Sequence, residues 1–408
     1  TIDTTDSPIL IPENSTGNVN IILKGENGLK AGRYYAAIQK DGDAENIGTL
    51  TISGDGALIA QGGKQGAGIG GGHEKAGNNI VISGGEVTAT GGESGAGVGS
   101  GYYESGSNIT ISGGTVIAQG GNQGAGIGGG KNGAGSSITI SGGMVTTTGG
   151  AYGAGIGGGY YGVGSNITIS GGTVTATGGE NAAGIGGGDS RDGNDITISG
   201  GTVTATEGYG GAGIGGGNWG STGKVTITGG SVKTTKGVLT GVTNGTDEVY
   251  CTVVDLTEEF GIEAAVTDVG ETAYGMKDVM TDADGKIYMY LPAGETSILL
   301  GMYYYTGTVS AEAGADNRLT RGTECKYSLL VLGAPAYYER NESTQGILIK
   351  DGANLTIKSG NGYGKDNYSQ TRIEIEKDAS VTLTLDGTYI DTIDTTDSPI
   401  LIPENSTG

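Results

Sequence analysis

Residues 108–130 read NITISGGTVIAQGGNQGAGIGGG, and variants of this phrase recur along the chain. The residues that open successive variants are 29 positions apart: Asn79, Asn108, Ser137, Asn166, Asp195 and Lys224. The GAGIGGG-like part recurs at the same spacing, beginning at Gly66, Gly95, Gly124, Gly153, Ala182 and Gly211. A fixed period of this length is the signature of a solenoid, in which each repeat stacks on the next.

Within each phrase, apolar residues alternate with polar ones or with glycine. In the segment 115–119, Val116 and Ala118 are expected to point inward, whereas Ile117 and Gln119 point outward. Period-two alternation of β-branched residues predicts β-strands, and Gly-Gly pairs supply corners that need a positive φ. An α-helical interpretation fails, because the apolar residues do not recur with a period of 3.6 and each interior glycine would cost a helix about 1 kcal/mol.

Three short strands and three corners in 29 residues describe one coil of a parallel β-helix. Successive coils are expected to stack at the strand spacing of about 4.8 Å. Three apolar ladders then point into the core. The first contains Ile109, Ile138, Ile167, Ile196 and Val225; the second contains Val116, Val145, Val174 and Val203; the third contains Ile127, Ile156, Ile185 and Ile214.

The repeat stops after Lys236. Strands of ordinary composition are predicted at 249–256, 286–291, 297–303 and 327–332, and Asp282-Ala283-Asp284-Gly285 predicts a hairpin turn between 278–280 and 286–291. We therefore predict an all-β chain. Parallel β-helix coils occupy residues 1–237, a small antiparallel β-sandwich of the immunoglobulin type occupies 238–343, and coils return over 344–408, at 346–349 and 354–357.

A second repeat is much longer. Residues 1–17 and 392–408 both read TIDTTDSPILIPENSTG, which implies a unit of 391 residues that repeats head to tail. Leu385-Asp386-Gly387 then lies 29 residues before the next copy of Leu23-Lys24-Gly25, so the β-helix register passes through the joint. We expect copies of the chain as its partners, and the sequence leaves open whether units are covalently linked or are separate subunits.

Composition narrows the classes of function. The net charge of −22 argues against nucleic acid, whose binding needs Lys and Arg, and no apolar run is long enough for a membrane span. His73 is the only histidine, which leaves little material for Ser-His-Asp or Cys-His catalysis. No cluster of acidic residues recurs on the outward strand positions, where a glycosidase would need one. We expect no enzymatic activity and no organic cofactor.

Three stretches carry a family resemblance. LTISGDGALIAQGGKQGAGIGGG (50–72) and ITISGGTVTATGG (167–179) resemble the glycine-rich β-helix repeats of large tandem-repeat surface proteins of gut Clostridia and related Firmicutes. YGMKDVMTDADGKIYMYLPAGE (274–295) resembles the small β module that often follows those repeats. The resemblance implies an extracellular or cell-surface location, and it implies carbohydrate binding for some related domains.

The third strand of each coil is rich in glycine. In residues 124–130, Ala125 and Ile127 are expected to point inward, and Gly126 and Gly128 outward. Stacked coils would then form a face almost without side chains, containing Gly126, Gly155, Gly184 and Gly213. Two interpretations stay open: the small residues only let the corner close, or the bare face lets another chain approach during assembly.

Aromatic residues follow the GAGIGGG segment in alternate coils, at Tyr102-Tyr103, Tyr160-Tyr161 and Trp219. Alternate coils lie about 9.6 Å apart, twice the strand spacing. Rings at this separation suit stacking on an extended polysaccharide, and they suit contact with another subunit equally well. Outward threonine pairs also resemble an ice-binding ladder, but Ile117 and Gln119 interrupt it, and threonine is a common exposed strand residue.

Two further pairs of residues are candidates for bonds or ligands. Cys251 and Cys325 are the only cysteines, and spacing alone does not decide between a disulfide and two buried thiols. Asp282 and Asp284 resemble part of a calcium loop, and calcium is the one ion that the sequence suggests. A solvated turn is the simpler interpretation, because the remaining ligands of such a loop are missing.

These observations favour a structural role. We predict the repeat unit of an extracellular bacterial filament or surface stalk, assembled head to tail. The alternative is a carbohydrate-binding surface adhesin that uses the tyrosines and the tryptophan at the coil corners. An ice-binding threonine ladder is a remote third hypothesis.

Overall fold

The fold is all-β, as the sequence predicts. The computed structural model describes residues 2–3, 6–12, 15–41, 48–235, 241–266, 274–325, 329–332, 337–340, 346–359, 369, 371–386, 388–390 and 400–401. Most of its strands form a parallel β-solenoid, and the chain runs three times around the core in each coil.

The coil has three faces, and two of them share one 14-stranded sheet. The strands of that sheet are β1 (Ile2–Asp3), β3 (Val19–Leu23), β4 (Glu26–Lys30), β6 (Leu50–Gly54), β7 (Ala57–Gln61), β9 (Gly77–Ile82), β10 (Glu86–Thr90), β12 (Gly106–Ile111), β13 (Thr115–Gln119), β15 (Gly135–Thr148), β17 (Gly164–Thr177), β19 (Gly193–Thr206), β21 (Val225–Thr234) and β22 (Val242–Thr243). We call the face that contains β3 and β9 the first face, and the face that contains β4 and β10 the second face.

The third face is an eight-stranded sheet of very short strands. They are β2 (Ile9–Ile11), β5 (Ile38–Lys40), β8 (Ile69–Gly70), β11 (Val98–Gly99), β14 (Ile127–Gly128), β16 (Ile156–Gly157), β18 (Ile185–Gly186) and β20 (Ile214–Gly215). The corners on either side of each strand occupy most of the glycine-rich segment.

Pairing between coils follows the predicted register. Ile109 lies beside Ile138, Val116 beside Val145, and Ile127 beside Ile156, each pair in parallel strands. All three predicted ladders are buried, which confirms the inward assignment. Ile117 lies on the outer side, 42% exposed, as the alternation predicts. Burial of these apolar rungs, at about 25 cal/mol per Å², is the main force that holds the coils together.

The first corner is a bend within the sheet. The second glycine of each Gly-Gly pair has the expected positive φ, for example +80° at Gly114 and +84° at Gly172. In β15, β17 and β19 the pairing continues through this corner with only a register shift. The residue that opens each phrase also has a positive φ, as at Asn108 (+52°), which suits Asn, Asp and Ser better than branched residues.

The module after the solenoid differs from the predicted sandwich. Its described strands form one five-stranded sheet in the order β24 (Lys286–Pro292), β23 (Val249–Asp255), β27 (Arg318–Glu324), β26 (Tyr303–Val309) and β25 (Gly294–Leu300). The predicted strand 297–303 is in fact the end of β25 and the start of β26, which form an antiparallel hairpin around Gly301. Pairing between β23 and β27 is parallel, so the sheet is mixed.

The turn at Asp282–Gly285 is confirmed. The amide of Asp282 donates to the carbonyl of Lys286 (2.8 Å), and the amide of Gly285 donates to the carbonyl of Asp282 (2.9 Å). The residues before the turn do not pair with β24 as expected. Met280 instead forms an antiparallel bridge with Ala265.

Coils return near the C-terminus, as predicted. One small sheet contains β28 (Leu329–Leu332), β31 (Asn354–Ser359) and β33 (Thr382–Asp386), and another contains β29 (Tyr338–Arg340), β30 (Ile347–Ile349), β32 (Ile373–Ile375) and β34 (Ile400–Leu401). Parallel pairs join β31 to β33, β30 to β32 and β32 to β34. The predicted domain boundaries at 237/238 and 343/344 lie outside the described residues.

Residues 275–280, here called the strap, fasten the module to the solenoid. The strap crosses the Gly-Gly corners of three successive coils. Gly230 donates to the carbonyl of Gly275 and Gly201 to that of Lys277 (both 2.6 Å), and Gly172 donates to the carboxylate of Asp278 (3.1 Å). The module is therefore bound along the solenoid axis rather than hanging from one end of it.

Candidate functional site

The glycines of the predicted assembly face are not exposed. Gly126, Gly155, Gly184 and Gly213 are all buried. A Cβ at Gly126 would lie 2.6 Å from the carbonyl oxygen of Gly155 and 3.0 Å from Cβ of Thr147. These glycines are required because the next coil and the neighbouring strand leave no room for a side chain. The expectation of a bare outward face is therefore wrong, and the interpretation that small residues let the corner close is supported.

The threonine columns do point outward. Thr88, Thr90, Thr175 and Thr177 are partly exposed on the second face. The column is interrupted at β13, where Ile117 and Gln119 take the outward positions beside Thr88 and Thr90. The flat repeating surface expected of an ice-binding ladder is therefore broken within the solenoid.

The corner that follows each third-face strand carries the aromatic residues. Tyr103, Tyr161 and Trp219 occupy equivalent positions two coils apart, and all have a positive φ (73°, 59° and 62°). Their rings project outward, because Tyr103 is 53% exposed and Trp219 is 89% exposed. The same corner position holds Glu74, Asn132 and Ser190 in the intervening coils, also with a positive φ. Every coil thus demands this backbone conformation, whereas only alternate coils meet it with a ring.

Two stacks of rings line this corner. In the first, the ring of His73 lies between Tyr34 (centroids 5.5 Å apart) and Tyr102 (5.4 Å), and Tyr102 contacts Tyr103 edge-on at 4.1 Å. Lys131 Nζ lies 5.5 Å from the centroid of the Tyr102 ring. The sequence suggested only that His73 is solvated, so its position in a stack is a finding of the structure.

The second stack lies two coils further along. Tyr160 lies 3.9 Å from Tyr161 and 4.7 Å from Tyr152, measured between ring centroids. The hydroxyl of Tyr160 donates to that of Tyr161 (2.8 Å), and Nε of Arg191 donates to the carbonyl of Tyr161 (3.0 Å). That hydrogen bond is the main cause that raises the pKa of Tyr160 to about 12. We call the two stacks together the aromatic edge: Tyr34, His73, Tyr102, Tyr103, Tyr152, Tyr160 and Tyr161.

The sequence analysis missed half of this edge. Tyr34 and Tyr152 come from the corner before the third-face strand, and they meet rings from the corner after it. The backbone shows the pairing of the two corners, since His73 donates to the carbonyl of Tyr34 (2.7 Å) and Asp189 to that of Tyr152 (3.0 Å). The signal in the sequence was the 29-residue step from Gln123 to Tyr152, whose column faces the predicted tyrosines.

The two cysteines do not form a disulfide. Both are free thiols, and they belong to different apolar clusters. Cys251 packs against the solenoid core, whereas Cys325 is buried beside Leu299 in the module. Burial raises the pKa of the Cys251 thiol and so lowers its reactivity. Of the two alternatives that the spacing left open, the structure therefore supports separate thiols.

The calcium hypothesis is not supported at Asp282 and Asp284. One carboxylate oxygen of Asp282 accepts hydrogen bonds from the amides of Asp284 (2.9 Å) and Lys286 (3.0 Å). The other oxygen pairs with Lys233 Nζ (2.9 Å) and accepts the hydroxyl of Tyr288 (2.8 Å). A carboxylate so engaged has little left to offer a cation. Within the described ranges, no group of three His, Cys, Asp or Glu side chains is placed to hold a metal ion.

The repeated 17-residue segment lies on the third face at both ends of the chain. In the first copy, Ile9 of β2 pairs with Ile38 of β5. In the second copy, Ile400 of β34, the equivalent of Ile9, pairs with Ile373 of β32. The rest of the second copy lies outside the described residues. The two copies thus take the same face of the coil while pairing with different neighbours.

Comparison with known proteins supports the architecture. A family described as "Beta helix repeat" matches six segments, residues 50–73, 80–102, 109–131, 138–160, 167–189 and 196–218. The matched segments are β-helix repeats. Neither the curated proteins nor the solved structures give a match to this chain. Over the residues that the structure describes, no helix is long and apolar enough to cross a membrane.

Proposed function

We propose that this chain is the repeat unit of an extended rod, a filament or stalk, on the outside of a bacterial cell, and that the units follow head to tail. The observation that carries the proposal is the shared position of Ile9 and Ile400 on the third face of the solenoid. A segment that fits between two sets of coils joins units without a flexible linker. The β-helix repeat itself is typical of structural and surface repeat proteins.

The construction of the coils suits a mechanical role. Hydrogen bonds between coils run along the axis, and the three apolar ladders form a thin, continuous core beside them. The strap adds bonds that span several coils at the point where the module interrupts the repeat. A net charge of −22 keeps separate rods from associating through their surfaces.

Electrophoresis of material from the producing cells tests this proposal. A covalent array is expected to give species far larger than the 40.4 kDa of this chain, even after boiling in denaturant. Protease added to intact cells should remove those species, since the rod lies outside the cell. A single band near 40.4 kDa that resists external protease would contradict both the array and the location.

A carbohydrate-binding adhesin is the second candidate, and the aromatic edge favours it. Tyr103 and Tyr161 place large rings at corners with a positive φ, a conformation that is strained for a bulky residue and that Asn or Ser meets in the other coils. Strain of this kind persists at binding sites because the site gains from it. Rings separated by two coil steps, about 9.6 Å, match an extended chain of sugars.

Binding to an immobilised polysaccharide panel tests the second candidate. Tyr103→Ala and Tyr161→Ala are expected to weaken binding at least tenfold together. Tyr209→Ala is the matched control, because Tyr209 is fully solvated but lies outside both stacks. Binding that is absent in the parent chain, or that falls equally in the control, would rule out the aromatic edge as a glycan site.

A further inference from the structure

The two ends of the solenoid present apolar rungs that the described residues leave uncovered. In β33, Leu385 stacks on Ile357, which is fully buried, yet Leu385 itself is 52% exposed. At the opposite end, Ile21 of β3 stacks on the buried Ile52 and is only half-buried. Every rung between neighbouring coils of the solenoid is covered on both sides. Each end is therefore a sheet edge with an unfinished core.

The faces follow each other in the same order at both ends. At the C-terminal end, β33 lies on the first face, Ile390 bridges Ser369 next, and β34 lies on the third face. At the N-terminal end, β1 pairs on the second face, β2 on the third and β3 on the first. When the two copies of the repeated segment are superposed, the order first, second, third, first continues without a gap.

This superposition identifies what covers each end. We propose that a second copy of this chain covers β33, and that its Val19–Leu23 strand pairs in parallel with Thr382–Asp386 so that its Leu23 stacks on Leu385. The inference rests on the proposed function and deepens it by naming the joint. One copy of the repeated segment pairs with β32 of the preceding unit on one edge and with β5 of its own unit on the other.

The side chains of the two edges suit this register. Leu385 and Leu23 both point toward the core, and Thr382 and Asn20 both point outward. One position beyond the leucines, Asp386 comes beside Lys24 of the second copy, an opposite-charge pair that stabilises neighbouring strands. A shift by one residue would turn every leucine to solvent, so the alternation itself selects the register.

A cysteine cross-link in a two-unit chain tests the joint. The chain contains residues 1–391 followed by residues 1–408, so the repeated segment occurs once between the units. Thr382→Cys in the first unit and Asn20→Cys in the second unit place two outward residues on adjacent strands. Their Cα atoms would lie about 4.8 Å apart, within the range that a disulfide spans. The control combines Thr384→Cys with Asn20→Cys, which shifts the pair by two residues and takes the Cα atoms beyond about 7 Å.

Mild oxidation followed by peptide mapping decides the result. We expect the matched pair to cross-link at least ten times faster than the shifted pair, with unfolding of the reduced variants unchanged from the parent two-unit chain. Asp386→Cys with Lys24→Cys probes the same register independently, should the first pair disturb the fold. Absence of the matched cross-link in both designs, or equal rates for matched and shifted pairs, would overturn the joint.

Electron microscopy of the same two-unit chain separates this inference from the proposed function. One straight rod of about twice the unit length, together with the matched cross-link, supports both. A rod without the cross-link overturns the register of the joint but leaves the structural function standing. Two compact particles on a flexible connection overturn the joint and the rod together.

Discussion

Lys233 of the solenoid and Asp282 of the module form an ion pair of 2.9 Å where the two parts of the chain meet. Lys233 Nζ also lies 4.7 Å from the centroid of the Tyr288 ring. Partial burial acts to raise the pKa of Asp282, but hydrogen bonds from Lys233, the Lys286 amide, Tyr288 and the Asp284 amide outweigh it and lower the pKa to about 2. The pair therefore fixes the module against the last coils as long as Asp282 is ionised.

Asp282→Asn tests this attachment. Because the folded pKa is depressed, the stabilisation is complete above the unfolded pKa of about 4 and is lost as the pH falls toward about 2. We expect the variant to lower the free energy of module unfolding by about 1 kcal/mol at pH 7, since both partners are partly solvated. Urea unfolding at pH 7 and at pH 2.5 measures it; a deficit that is as large at pH 2.5, or that Asp284→Asn reproduces, would contradict the role of the ion pair.

Ile138→Ala tests the first ladder. Ile138 is fully buried between Ile109 and Ile167, so truncation leaves a cavity between coils. We expect a loss of about 2–5 kcal/mol in the free energy of unfolding. Ile117→Ala removes the same atoms from an outward position, and a change within about 0.5 kcal/mol is expected there. Similar losses at the two sites, measured by chemical denaturation, would show that the alternation does not define the core.

Gly126→Ala tests why the third face is built from glycine. The added methyl group would meet the Gly155 carbonyl at 2.6 Å, so we expect a loss of about 1–3 kcal/mol through overpacking. Gly28→Ala is the control, because a Cβ at Gly28 in β4 meets nothing within 4 Å. Thermal unfolding should separate the two variants clearly. Equal stability would mean that the coils can part locally to admit a side chain.

Tyr161→Phe tests the hydrogen bond in the aromatic edge. The hydroxyl of Tyr161 accepts the proton of Tyr160 and is the main reason that the pKa of Tyr160 is raised to about 12. Removal of the acceptor should lower the pKa of Tyr160 toward its usual value near 10. Titration of Cζ-labelled tyrosine by NMR resolves the residue, and Tyr209→Phe serves as control. A pKa of Tyr160 that is unchanged in Tyr161→Phe would show that the two hydroxyls are not bonded in solution.

The free thiols make a further prediction about redox sensitivity. Since Cys251 and Cys325 lie in separate apolar clusters, a reducing agent should leave the melting temperature of the chain unchanged. Both thiols should react with a maleimide only after denaturation, because Cys325 is buried and Cys251 is half-buried in the solenoid core. A reductant-dependent drop in the melting temperature would instead indicate a disulfide between them.

The periodic part of this chain could be predicted almost completely. The 29-residue step, the alternation within 115–119 and the paired glycines identified the coil, its three ladders and its corners, because each repeat sees the same neighbours above and below it. A local pattern then determines its own environment. The position of Ile127 inside and Ile117 outside follows from this rule alone.

The non-repeating contacts could not be predicted in this way. The strap at 275–280, the stack around His73 and the burial of Gly126 each join segments that no period relates. A glycine that faces away from the core looks exposed in sequence, and only the next coil, lying about 4.8 Å away, shows that there is no room for a side chain. The sequence by itself determined the coil and its repetition, whereas the tertiary structure decided which surfaces remain free, because those depend on what packs against each coil from outside its own repeat.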